Sequence, residues 1–207
     1  MDEKLQNAIK QQYNNPKCEL QFGSPFQLLV AVVLSAQCTD KRVNEVTKKL
    51  FQVAPNPIDF VNMPTDKLEQ YIFSCGFYKN KAKALKELSQ DIVQKFGGVV
   101  PSGEDELTSL RGVGIKTASV VRSLAFNIPA LAVDTHVFRV SNRLGVASAK
   151  TPEEMHKKLL QTVPKDFWID YHYSLVLHGR YVCKSQNPKC NECAFKTLCQ
   201  YYNKEKK

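Results

Sequence analysis

Leu110-Arg111-Gly112-Val113-Gly114-Ile115-Lys116-Thr117-Ala118 lies between two helical stretches, and its reading decides the fold. The stretch before it is short and begins near Ser102. The stretch after it runs to about Phe126, with Ala118, Val121 and Ala125 on one face. Two glycines separated by one apolar residue make a tight hairpin. The amides around Gly112, Val113 and Gly114 can point outward at the start of the second helix, where the helix dipole helps them bind phosphate. The spacing is not the G-x-x-x-x-G-K-[ST] of a nucleotide P-loop. A plain turn would account for a bare G-x-G; the longer string of Leu, Lys, Thr and Ala around it is the stronger signal.

In outline this is a helix–hairpin–helix, which clamps a nucleic-acid backbone without reading its sequence. The net charge of +9 and pI of about 9.2 suit a polyanionic partner, nucleic acid first and an anionic membrane second. Solvated lysines on an ordinary basic protein would give the same balance. The 207 residues suit one large domain or two small ones. With 43% apolar and 24% charged residues, the composition is that of a globular chain that folds without help from a disulfide or metal.

Working outward, apolar spacing is helical almost throughout. Leu85, Leu88, Ile92, Val93 and Phe96 form one stripe, ended by Gly97 and Gly98; Leu68, Tyr71 and Ile72 form another, ended by Gly76. Ser24-Pro25 offers a cap with proline in the first turn. Thr151 to Glu154 fits a capping box in which Glu154 reaches back to the cap amide. Thr39 and Thr65 are further candidate caps. Val99 to Pro101 is a loop and Ile128 to Val133 a connector, so the fold class expected is all-α. The lysine-rich tail from Lys204 to Lys207 is expected to fray. No export signal opens the sequence, and the longest apolar run, Phe26 to Ala36, is too short for a bilayer span of about 20 residues. A cytoplasmic protein in a reducing compartment is expected.

Seven cysteines argue against a disulfide framework. Cys18, Cys38 and Cys75 are scattered, whereas Cys183, Cys190, Cys193 and Cys199 follow a C-x6-C-x2-C-x5-C spacing. Four thiolates this close can surround one metal centre. Structural zinc prefers two paired C-x2-C knuckles; a single short pair with wider arms favours a [4Fe–4S] cubane. With all four positions cysteine, the centre more naturally orders the tail into a rigid loop than performs chemistry. Lys184 and Lys189 would project from that loop towards phosphates.

Lys116 lies in the first turn of the helix after the hairpin. The positive end of the dipole disfavours an ammonium there, and partial desolvation would act in the same sense. A lysine that sheds its proton is a nucleophile able to form a Schiff base. A phosphate-contacting or solvated lysine is the alternative. Asp134, in Ala132-Val133-Asp134-Thr135-His136, precedes a helix containing Val137, Val140 and Leu144. It can cap that helix, or, placed across a pocket from Lys116, stabilise an oxocarbenium-like sugar or take the lysine's proton.

Three motifs in order, Leu110 to Ala118, Val133-Asp134-Thr135-His136 and the four-cysteine tail, resemble the endonuclease III family of the helix–hairpin–helix glycosylases. Leu34-Ser35-Ala36-Gln37-Cys38-Thr39-Asp40 is a fourth match, and the resemblance covers nearly the whole chain. It implies two helical lobes flanking a DNA-binding groove. One is a six-helix barrel over residues 18–128; the other joins residues 1–17 to 129–207 and carries the cluster. It implies that Lys116 attacks C1′ of a flipped nucleotide with help from Asp134, and that β-elimination then cuts the strand 3′ to the lesion. The implied partner is double-stranded DNA bearing an oxidised pyrimidine or an abasic site. The implied setting is a monomer acting at the bacterial nucleoid, without a membrane.

Further roles follow by resemblance. Gln37 fills the gap left by the flipped nucleotide, and Phe77 stands where relatives carry a leucine wedge, with a core position as its alternative. Gly112, Val113, Gly114 and Thr117 contact phosphate. Arg111 replaces a proline common in the hairpin, loosening the turn or adding a phosphate contact. Arg139 reaches a phosphate; His136 contacts DNA or is a satisfied helix-start histidine. His172 and His178 are packing or surface residues. A related adenine glycosylase would lack Lys116 and carry a glutamate before Gln37, but residues 26–37 hold no carboxylate. A mismatch-specific thymine glycosylase usually replaces the hairpin lysine. A non-catalytic DNA-binding or electron-transfer module would not need Lys116 and Asp134 together.

Overall fold

The computed structural model describes residues 1–205, so Lys206 and Lys207 of the basic tail lie outside the described residues. Among the described residues the chain is helical, with no strand. It divides into two compact units, Glu19–Ile128 and Met1–Cys18 with Pro129–Lys207. Helix α1 (Glu3–Gln12) opens the second of these. The first holds α2 (Pro25–Ser35), α3 (Asp40–Val53), α4 (Pro57–Asn62), α5 (Thr65–Ile72), α6 (Tyr78–Phe96), α7 (Glu104–Ser109) and α8 (Ile115–Phe126).

α2 is the axle of its unit. Ser24 Oγ accepts the Gln27 amide at 3.2 Å and Pro25 supplies a preset φ in the first turn. Phe26 and every residue from Leu28 to Leu34 are buried, as in a helix surrounded on all sides. Its neighbours are α3, α6 and α8. Each Leu or Val so buried contributes about 1.5–3 kcal/mol relative to exposure. α6 turns Leu85, Leu88 and Ile92 fully inward. It stops at Gly97 and Gly98, both left-handed, with the Gly98 amide bonded back to Ile92 O at 2.9 Å.

The other unit adds α9 (Thr135–Leu144), α10 (Pro152–Thr162), α11 (Trp168–Tyr181) and α12 (Gln200–Glu205) to α1. α11 packs on α9 and α1. Ile9, Val137, Val140, Met155, Leu159, Phe167, Leu175 and Phe195 form its core around fully buried Tyr171. The tyrosine hydroxyl is bonded to Ser141 Oγ at 2.8 Å, which satisfies the one polar atom this ring brings inside. The connector 128–133 has no regular structure, as expected, and Ala132 O accepts from buried His172 Nδ1 at 2.8 Å.

Three local expectations need correction. Thr65 is the first residue of α5, not its cap; extended Pro64 precedes it, and Pro64 O accepts the Leu68 amide. Thr151 does cap α10, but the Glu154 carboxylate reaches the Lys150 amide at 2.9 Å and Lys158 Nζ at 2.7 Å, one residue short of closing the box. The stripe expected to run up to Gly76 already ends with α5 at Ile72, and Phe77 makes a left-handed turn ahead of α6. No helix among the described residues is long and apolar enough to cross a membrane.

Candidate functional site

The hairpin is held from beneath by its apolar residues. Leu110 and Val113 are buried, and the Val113 amide closes the turn on Leu110 O at 3.1 Å. Gly112 is required twice over: its φ is +78°, and a Cβ there would sit 3.2 Å from the Cβ of Ala84. Gly114 is the N-cap of α8, extended at φ −95°, with open space where a Cβ would stand. A glycine cap brings no side-chain acceptor, and none caps this helix. The first turn of α8 carries no acidic residue either. The result is an exposed, positively polarised helix start suited to an oxyanion.

Lys116 stands in that first turn and is exposed. The partial desolvation expected of it is not provided by the surrounding residues. Thr117 is partly exposed, and Ile115 beside it is 58% exposed, an apolar surface the sequence gives no signal for. Arg111 is exposed and lies 3.5 Å from Glu87, a surface pair worth at most about 1 kcal/mol.

Gln37 and Phe77 share an unusual backbone: φ is +53° at Gln37 and +58° at Phe77. Both side chains are exposed, Phe77 to 64%, which excludes the core alternative for this ring. Phe73, 68% exposed, stacks edge-on against Tyr78 at 5.3 Å. Cys38 and Cys75, scattered in sequence, are neighbours here. Burial pushes the Cys75 thiol up to about 11, and the adjacent Cys38 adds to the shift.

In the other unit Asp134 is the N-cap of α9. Its Oδ1 accepts the amides of His136 at 2.9 Å and Val137 at 2.8 Å. Both cap bonds fall on one carboxylate oxygen. His136 is half-buried, and burial lowers its affinity for a proton. Arg139, expected to reach a phosphate, spends its guanidinium inside the unit. It donates to Cys183 O at 3.1 Å, Gly179 O at 2.9 Å and Thr135 O at 3.4 Å, and it meets His136 Nδ1 at 3.2 Å. It fastens the start of the cysteine loop to α9 and α11.

The four thiols of that loop line one cavity of about 20 Å³, with Arg143, His178, Lys189 and Lys196 also on its wall. Two 3-10 turns, Cys190–Glu192 and Lys196–Leu198, shape it. Arg143 donates to Cys183 Sγ at 3.5 Å and to the carbonyls of Lys184 and Ser185. His178 Nε2 lies 3.5 Å from Cys193 Sγ, and its other nitrogen meets the Tyr13 hydroxyl at 2.9 Å. His178 is thus a packing residue that also touches a thiol, a contact the sequence does not reveal. Among the described residues no three side chains converge tightly enough to chelate one ion. The four thiols share this wall with three cations, Arg143, Lys189 and Lys196, which would offset thiolate charge, so these cysteines could hold a metal centre. Lys184 and Lys189 are exposed on the same loop, Lys189 lying 3.7 Å from Glu192.

Residues 30–165 match the family model described as the HhH-GPD superfamily of base excision DNA repair proteins. The endonuclease III of Bacillus subtilis (strain 168) is 49% identical over 202 residues, covering 97% of this chain and 92% of that protein. Two solved structures superpose over the whole of this chain at 44% identity. One is a trapped covalent intermediate of an endonuclease III with DNA, an estranged-adenine complex, with a TM-score of 0.93 and 100% of that chain covered. The other is a non-covalent endonuclease III–DNA complex, with a TM-score of 0.92 and 99% covered.

Proposed function

The chain belongs to the endonuclease III family of the HhH-GPD base excision DNA repair superfamily, and from that premise we propose that it is a bifunctional DNA glycosylase and abasic-site lyase. Its substrate is duplex DNA carrying an oxidised pyrimidine or an abasic site, and it works as a monomer in the bacterial cytoplasm. The observation that carries this reading is the exposed Lys116 in the first turn of α8, directly behind an uncapped glycine hairpin.

The hairpin amides hold a phosphate, which sets Lys116 beside the deoxyribose of a nucleotide turned out of the stack. Lys116 Nζ attacks C1′ as the C1′–N bond to the base breaks. Asp134 balances the positive charge that develops on the sugar and takes a proton from the lysine nitrogen. Its cap bonds occupy Oδ1, so Oδ2 carries this duty. Ring opening gives an imine between Nζ and C1′, which acidifies the C2′ protons. Loss of one of them expels the 3′ phosphate and cuts the strand. Water then releases the lysine. Gln37 and Phe77 occupy the duplex where the nucleotide has left it.

Cys183, Cys190, Cys193 and Cys199 would hold a [4Fe–4S] cluster, whose contribution is to order the loop that presents Lys184 and Lys189 to phosphates. The domains of this reading are the two compact units, the first carrying the phosphate clamp and the second the cluster. Metal analysis of purified protein is expected to find about four irons per chain; one zinc and no iron would remove the cluster from the account. The activity is tested by borohydride trapping on an oxidised-pyrimidine duplex. Wild-type protein should form a covalent adduct and Lys116→Gln none, while the variant still binds DNA. An adduct at the wild-type rate from Lys116→Gln would move the nucleophile elsewhere.

A further inference from the structure

Gln37 and Phe77 both rest on left-handed turns, and one buried residue fastens the two turns together. Lys81, in the first turn of α6, is only 7% exposed. Its amide donates to Phe77 O at 3.1 Å. Its Nζ donates to Leu34 O at 2.9 Å and to Ala36 O at 2.6 Å, the carbonyls that end α2 immediately before Gln37. Cations suit this position, because the carbonyl end of a helix is its negative pole. The turns also touch directly: a Cβ on Gly76 would lie 3.4 Å from Gln37 O.

Two observations set this lysine apart from an ordinary packing residue. Burying an ammonium is costly, and an apolar side chain would fill the same space without that cost. A left-handed φ at a non-glycine residue is unfavourable and persists only where the surroundings over-determine it. Here two such residues stand side by side, both exposed, with Lys81 bonded to the backbone next to each.

We propose that Lys81 is a positioning residue that locks the Gln37 and Phe77 turns into one fixed arrangement, so that both side chains meet damaged duplex as a preformed pair. The inference rests on the lyase reading above and on the DNA-entering role given there to Gln37 and Phe77. It has a consequence for substrate form. A single strand has no opposing base to part and no gap to fill, so an abasic site in a single strand needs neither turn.

Lys81→Met keeps the length and apolar stem of the side chain but removes the donors to Leu34 O and Ala36 O. Single-turnover strand cleavage is measured on an oxidised-pyrimidine duplex and on a single-stranded oligonucleotide with an abasic site, together with the thermal midpoint. Lys81→Met should lose about tenfold or more on the duplex and less than about twofold on the single strand. In a Gln37→Ala/Phe77→Ala background the same substitution should add less than about twofold on the duplex, because the groups it positions are gone. If Lys81→Met does not fold, Lys81→Gln, which keeps one donor, carries the comparison with a smaller duplex loss. Equal losses on both substrates, no loss on the duplex, or full additivity in the double-alanine background would each overturn the inference while leaving the lyase reading standing. Wild-type protein inactive on both substrates would overturn that reading, and this inference with it.

Discussion

Helices α8 and α9 begin in opposite ways. α8 starts at Gly114, which offers its first turn no acceptor, and carries Lys116 there; α9 starts at Asp134, whose carboxylate takes two of its amides. Both starts have the same positive pole. The chain neutralises one with its own side chain and leaves the other for an outside anion. In the proposed function the bare start is a phosphate site with a lysine beside it, and the capped start supplies a negative charge. On that proposal Asp134 is a structural device and a catalytic one at once, because capping uses one carboxylate oxygen and leaves the other.

The largest effect expected from breaking this contrast is at Asp134. Asparagine caps nearly as well as aspartate, so Asp134→Asn should leave the thermal midpoint almost unchanged while turnover falls on the order of 10²-fold. Asp134→Ala should lose the same activity and also about 1 kcal/mol of stability. Unchanged turnover in Asp134→Asn would make the residue a cap alone.

The reverse exchange, Gly114→Asp, gives α8 the kind of cap α9 has. The site has room for a Cβ and an ordinary φ, so the variant should be more stable by about 0.5–1 kcal/mol. Its new charge occupies the phosphate site, and affinity for undamaged duplex should fall about tenfold in a filter or anisotropy titration. Equal or tighter binding would show that the bare start of α8 does not hold DNA.

Arg111→Ala should have the smallest effect. Its pair with Glu87 is exposed and adds little to stability. If Arg111 adds a phosphate contact, the slope of log affinity against log salt should drop by about one. An unchanged slope would leave Arg111 with the ion pair only.

The contrast itself is legible in the sequence. Glycines at 112 and 114 and an aspartate before Thr135 are local signals, and local signals govern helix ends. What was hidden depends on contacts between distant residues. The sequence offers Arg139 as a cation on α9 that could reach a phosphate, but two carbonyls from distant residues, Gly179 and Cys183, accept from it, as does Thr135 O of its own helix. Cys38 and Cys75 meet only because the turns after α2 and α5 meet. A left-handed turn falls on Phe77, where a bulky residue is disfavoured, and propensity alone would never place it there. The same holds for Lys81, which looks like one more surface lysine among many until the end of α2 is laid across it.

The central claim is that the residue behind the bare helix start is the nucleophile. The most direct measurement is a peptide map by mass spectrometry of the adduct formed when wild-type protein, an abasic-site duplex and borohydride are mixed. The account predicts the reduced sugar remnant on Lys116 within the peptide that spans the hairpin and α8. A remnant on any other lysine, or on the N-terminal amine, would contradict it.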